Sequence, residues 1–192
     1  MALEYELKYK ATPAALDAMD AAVEGVSRTI TMETTYYDTP TGQFSARKYT
    51  LRRRLENGVS VCTLKVPAGN ARGEWETECD SIENAISKLM AMGCPAELSI
   101  LAQEGLIPTC GARFTRIAKT VTLADGTVEL ALDRGFLTGG GREAPLCEAE
   151  VELKEGAAEA CDRFARELAA RFGLTPEEKS KYRRALALYE GE

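Results

Sequence analysis

The first ten residues place charge on a strict period of two. Glu4, Glu6, Lys8 and Lys10 alternate with Leu3, Tyr5, Leu7 and Tyr9. On a β-strand, residues i, i+2 and i+4 share one face, so the segment reads as a strand with one apolar and one ionic face. The same pattern recurs along the chain. Arg52 and Arg54 flank Arg53, Glu74 and Glu76 flank Trp75, and Lys65 closes the alternating run Val59–Lys65. Asp133 closes Val128–Asp133, and Glu148, Glu150, Glu152 and Lys154 alternate with Ala149, Val151 and Leu153. A solvated face usually mixes Lys with Glu, whereas here the two signs are segregated by strand. Ionic faces turned inward need a ligand, a metal or opposite charge to offset desolvation.

Helix and turn signals separate these strands. Thr12-Pro13 gives an N-cap and first helical residue for a helix reaching about Glu24, ended by Gly25. Asn57-Gly58 is a hairpin signal between 47–55 and 59–66. Asp80-Ser81-Ile82-Glu83 resembles a capping box before a helix to about Met92, and 95–105 reads as a second short one. Strands are expected at 113–123, 127–133 and 146–154, then a helix over 157–172 stopped by Gly173. Thr175-Pro176-Glu177-Glu178 is expected to open the last helix, to about Tyr189. An ordinary sandwich would put apolar residues where these charges lie. The expected fold is therefore α+β: a closed antiparallel β-barrel of about eight strands, a tunnel with a charged lumen and helices packed outside.

Composition narrows the chemistry. The chain has 192 residues and no histidine, which removes Ser-His and Cys-His catalysis and histidine metal ligands. Any metal must then sit on oxygen ligands, which favours Mg²⁺, Mn²⁺ or Ca²⁺. The six cysteines are scattered without zinc-like spacing, so they read as reduced, buried small hydrophobes. A net charge of −6 argues against a nucleic-acid partner. No run approaches the roughly 18 apolar residues of a membrane span. With no signal-peptide pattern at the N-terminus, the expectation is a cytoplasmic protein. One domain over 1–192 is expected, with oligomeric state open.

Taken in order, these motifs resemble the CYTH domain, the triphosphate tunnel metalloenzymes. They are Glu4-x-Glu6-x-Lys8, Arg52-x-Arg54, Thr63-Leu64-Lys65, Glu74-Trp75-Glu76, Arg116, Asp133-Arg134-Gly135, Glu150-x-Glu152 and Ser180-Lys181. The resemblance runs to about residue 189 and is strongest to bacterial inorganic triphosphatases. Those often carry a second, helical domain, which is not expected here. It implies a small-molecule triphosphate held by Lys8, Arg52, Arg54, Lys65, Arg116 and Lys181. One or two Mg²⁺ or Mn²⁺ ions would sit on Glu4, Glu6, Glu150 and Glu152, with Glu74, Glu76 and Asp133 in support. Relatives commonly place a second cation two positions after Arg116, where this chain has Ala118; Lys119 is out of phase. Glu148 is in phase but reads as lying outside the metal site.

Lys8 is the candidate catalytic residue. It can act as general base, or as a phosphate ligand while a metal lowers the pKa of water. The expected reaction is metal-dependent hydrolysis of inorganic triphosphate to pyrophosphate and phosphate. Thiamine-triphosphatase, nucleoside triphosphatase and adenylyl cyclase share such a site. A non-catalytic polyphosphate or nucleotide sensor is the alternative of another class.

Overall fold

The computed structural model describes residues 2–69 and 71–191, and the side chains of these except residues 2–4 and 71. The first half of the chain comprises β1 (Ala2–Glu4), β2 (Glu6–Lys10), α1 (Pro13–Ala22), β3 (Val26–Asp38) and α2 (Gln43–Ala46). It continues with β4 (Thr50–Glu56), β5 (Val59–Ala68), β6 (Ala71–Glu78), α3 (Ile82–Ala91) and α4 (Glu97–Ala102). The second half comprises β7 (Ile107–Leu123), β8 (Gly126–Gly139), β9 (Arg142–Gly156), α5 (Ala158–Phe172), β10 (Thr175–Pro176) and α6 (Lys181–Glu190).

Among the described residues the strands form one antiparallel sheet in the order β1-β6-β5-β4-β3-β7-β8-β9-β2-β10. Only Tyr5 separates β1 from β2, yet β1 pairs with β6 at one end of this order and β2 pairs with β9 near the other. The N-terminal segment thus ties both ends of the sheet and closes it. Counted as one strand, 2–10 joins β3 to β9 in a ring of eight, the expected tunnel.

The alternation explains which face is which. Tyr9, Leu130, Leu132, Ala149 and Val151 face outward and are buried under α1 and α5, against Leu16, Met19, Ala165 and Leu168. On the opposite wall, Leu51, Cys62, Leu64 and Trp75 are buried with Ile82, Leu89 and Leu98 of α3 and α4. Trp75 thus points away from the lumen. Residues of the other phase line the inside: Glu6, Lys8, Arg52, Arg54, Lys65, Glu74, Arg116, Glu150 and Glu152.

The lumen is ionic over only part of its length. Met32, Tyr36, Phe114, Leu137 and Leu146 share the lumen phase and pack with Tyr182 and Ala185 of α6. Helix α6 therefore crosses the inner side of the sheet, unlike the outer helices. It also begins later than expected. Thr175–Pro176 adds a short strand to β2, and the Glu177 N–H donates to the Lys8 carbonyl at 2.9 Å. Ser180 is the cap, accepting from Arg183 N at 3.2 Å. The sheet hydrogen bond at Glu177 overrides the Thr-Pro-Glu-Glu helix signal.

The other local signals behave as their chemistry requires. Thr12 caps α1 by accepting from Ala15 N, and Gly173 ends α5 at φ 64°. Asn57 and Gly58 take φ 50° and 88°, the left-handed pair of a two-residue hairpin turn. The cap of α3 is Ser81, which accepts from Asn84 N, rather than Asp80. Helix α2 was not expected. The Asp38 carboxylate organises it by accepting from Thr39, Phe44 and Ser45 N–H groups at 2.7–3.0 Å. All six cysteines are free. No described helix is long and apolar enough to cross a membrane.

Candidate active site in the tunnel

Register sets the inner face in ranks. Glu6 of β2 lies opposite Glu152 of β9, which lies opposite Glu129 of β8. One rank along, Lys8 faces Glu150, and Ala131, Ala118 and Arg28 continue the row across β8, β7 and β3. In the third, Glu148, Asp133 and Arg116 are neighbours on β9, β8 and β7. Directly paired residues put their Cβ atoms about 4.5–5.5 Å apart, so each rank is a contact set. Arg52 and Arg54 come from β4, Lys65 from β5, and Glu74 and Glu76 from β6.

All six expected cations line one cavity of about 340 Å³, with Glu6, Glu74, Glu76, Glu150 and Glu152. Lys8 Nζ donates to Glu6 Oε1 at 3.1 Å. Arg52 and Lys65 both approach Glu74 Oε1, at 3.9 and 3.5 Å. Arg54 is buried; its Nε donates to Thr34 Oγ1 at 2.9 Å, and its nearest carboxylate is Glu56 at 3.7 Å. Burial, with Arg52 and Arg116 nearby, lowers the Arg54 pKa to about 10. Arg52 Nε is buried without a hydrogen-bond partner. These two guanidiniums are poorly neutralised.

The third rank is the opposite case. Arg116 clamps Asp133 through two hydrogen bonds of 2.7 Å and also donates to Glu150. Lys181 Nζ reaches Asp133 at 2.8 Å, Glu150 at 2.7 Å and Glu148. Arg184 donates to Glu148 as well. The carboxylates of Glu150 and the cation of Arg116 hold each other charged, and the acids around Lys181 raise its pKa against burial. Asp133 lies behind the cavity wall, fully buried.

The family model of the CYTH domain matches residues 2–186. The chain belongs to the CYTH family. This CYTH chain is also 30% identical over 127 residues to an inorganic triphosphatase of Haemophilus influenzae, covering 64% of the chain and 36% of that relative. It therefore spans about a third of that relative's length over the match. Among solved structures it resembles a Hippeastrum protein with a dominant triphosphatase activity: TM-score 0.66, 18% identity, 97% of this chain and 95% of the other. A Pyrococcus horikoshii protein matches with TM-score 0.63 and 21% identity over 96% and 99%. At these identities the two structures speak for the CYTH fold alone.

Several lumen residues of this CYTH chain had escaped sequence reasoning. Glu148, set aside, is the centre of the ion cluster, and Arg184 follows Lys181 by three residues on the same helix face. Arg28 and Glu129 line the cavity and pair at 2.7 Å. Glu129 is in phase with Asp133 on β8, which is the signal that could have found it, whereas no residue of β3 had been singled out to mark Arg28. Arg28 lies opposite Ala118, so β3 brings a cation to that rank. Lys119 points outward, where it donates to the Val23 carbonyl at 3.0 Å and pairs with Asp20 at 2.8 Å. The Glu4 side chain lies outside the described residues.

Two carboxylate sets have the chemistry for a hard cation. Asp133, Glu148 and Glu150 offer oxygens within 4.8 Å of one another, but the Lys181 ammonium already binds all three. Glu6 and Glu152, opposite in register, both line the cavity and keep 27% side-chain exposure there, with Lys8 at 3.1 Å from Glu6 and Lys154 at 2.7 Å from Glu152. The second set fits Mg²⁺ or Mn²⁺ better, since Mg²⁺ takes one or two carboxylates with waters and substrate phosphates.

Proposed function

We propose that this protein hydrolyses inorganic triphosphate to pyrophosphate and phosphate with the help of a divalent cation. The observation that carries the reading is the pair Arg52 and Arg54: one half-buried and one buried guanidinium, side by side in phase, whose nearest carboxylates stand at 3.7–3.9 Å. Charge left poorly paired in a lumen is costly unless a ligand completes it. A polyanion does so, and the planar forks of arginine match phosphate oxygens. The likeness to the Haemophilus inorganic triphosphatase supports the same substrate.

Phosphoanhydride hydrolysis depends on positioning and on neutralising charge. Arg52 and Arg54 would grip the phosphate chain from β4, with Lys65 and Lys8 as point charges beside it. Arg116 and Lys181 would present their remaining field from the α6 end. Glu6 and Glu152 would hold Mg²⁺ or Mn²⁺, which when bound neutralises phosphate oxygens and activates water. Lys8, donating to Glu6, is posed as a phosphate-neutralising ammonium.

Aromatic rings at the cavity are already engaged, which favours a bare phosphate chain over an organic triphosphate. Tyr36 packs on Tyr182 at 5.0 Å between centroids, and Arg54, Arg116 and Lys181 surround Phe114 at 5.5–5.9 Å.

The test is a substrate panel of inorganic triphosphate, ATP and thiamine triphosphate with Mg²⁺, Mn²⁺ or EDTA, resolving phosphate, pyrophosphate and cyclic AMP. Turnover of inorganic triphosphate should have the highest kcat/KM and vanish in EDTA. Equal or better turnover of an organic triphosphate overturns the substrate, and cyclic AMP formation overturns the reaction. Within the same panel, Lys8→Arg keeps charge but cannot accept a proton at neutral pH. A substantial residual rate assigns Lys8 to neutralisation, and loss of cleavage with retained binding assigns it as the base.

A further inference from the structure

Two neighbouring spaces that share lining residues with the cavity differ in charge. One is lined by Glu56, Glu76 and Glu78, with Arg28 as the cation beside them. At the α6 side, the cavity continues past Thr50, Arg72, Ser180 and Tyr182 into a chamber of about 430 Å³. Lys48, Arg72 and Arg183 line that chamber, and no carboxylate does among the described residues. Lys48 and Arg183 are exposed and have no ion-pair partner among the described residues.

The junction is built rather than incidental. Arg72 is fixed there, donating to Thr50 Oγ1 at 3.0 Å and to the carbonyls of Lys48 and Lys65 at 3.4 Å. Tyr182 is 6% exposed and lines both spaces. Cations therefore run on from Arg52 and Lys65 through Arg72 to Lys48 and Arg183.

We propose that this chamber is a further anion subsite, which takes a fourth phosphoryl group so that the tunnel binds linear inorganic tetraphosphate more tightly than triphosphate. The inference rests on the reading of the tunnel as a triphosphate site. Lys48 and Arg183 neutralise the terminal phosphate. The acidic space repels the same group, so the longer anion has one preferred direction.

The experiment measures calorimetric binding of tetraphosphate, triphosphate and orthophosphate, in separate arms with EDTA and with Mg²⁺. It uses the wild type and the Lys48→Gln/Arg183→Gln double variant. Tetraphosphate should bind about tenfold more tightly than triphosphate, the worth of one charge-assisted contact. The double variant should erase that advantage while changing triphosphate affinity by less than about threefold, because distant exposed charges are screened. Equal binding of the two anions by the wild type overturns the subsite, as does an equal loss for both in the double variant. Absence of triphosphate binding in both arms strikes at the tunnel reading itself, which separates the two failures.

Discussion

At the α6 end of the lumen, Asp133, Glu148 and Glu150 each meet a cation at hydrogen-bond distance, whereas along β4 the guanidiniums of Arg52 and Arg54 stand 3.7–3.9 Å from their nearest carboxylates. Both regions are made of Arg, Lys, Asp and Glu on alternating strand positions. In the first, the charges satisfy one another and lock α6 across the sheet. In the second, they are held apart by the backbone, with Thr34 as the close partner of Arg54. Ion pairing inside the fold and readiness for a ligand are thus divided between two stretches of the same lumen.

The sharpest way to break this division is Lys181→Met. At neutral pH it would leave three buried carboxylates with Arg116 and Arg184 alone. Breaking a buried network by removing one partner costs about 3–5 kcal/mol, read from denaturant unfolding. Full stability with lost turnover would instead make Lys181 a ligand-binding cation and merge the two regions.

Arg54→Ala tests the other side. A group that stabilises developing charge is worth about 10²–10³ in rate, and kcat/KM for triphosphate should fall by that much. Stability should hold or rise, because burial and the neighbouring cations Arg52 and Arg116 already disfavour the Arg54 charge in the fold. A loss of stability as large as that of Lys181→Met would show that Arg54 too is a structural pair.

Much of the ring was legible because a period of two assigns every strand residue to a face. Trp75 between Glu74 and Glu76 was enough to orient β6. What periodicity does not carry is which element covers a face. Met32, Phe114 and Leu146 sit on the lumen phase, and only the position of α6 shows that they are covered there. Arg28 and Glu129 were hidden for a related reason. Their pairing is set across strands, because β3 and β8 flank Ala118 on β7 and leave room over its methyl group. The late start of α6 was beyond local propensity, since a backbone bond to Lys8, far away in sequence, decides it.

The smallest effect expected is a pH slope, and it bears on how completely the α6 end is neutralised. Burial raises the Glu148 pKa from 4.5 to about 7, with the nearby Glu150 charge adding to it and Lys181 opposing it. Between about pH 4.5 and 7 the folded state then keeps a proton that the unfolded chain has released. Because the folded state binds more protons there, stability should fall as pH rises through this window, by less than about 1.4 kcal/mol per pH unit. Glu150 has the opposite sign: its pKa is depressed, so its contribution is lost only as pH falls below the ordinary carboxylate range. Replacing Glu148 by Gln removes the titration while keeping an acceptor for Lys181. Denaturant midpoints of that variant at pH 5, 6 and 7 should lie on a flatter line than those of the wild type. Identical slopes would mean that Lys181 and Arg184 keep Glu148 ionised throughout, so that the α6 end is neutralised entirely by cations and holds no proton of its own.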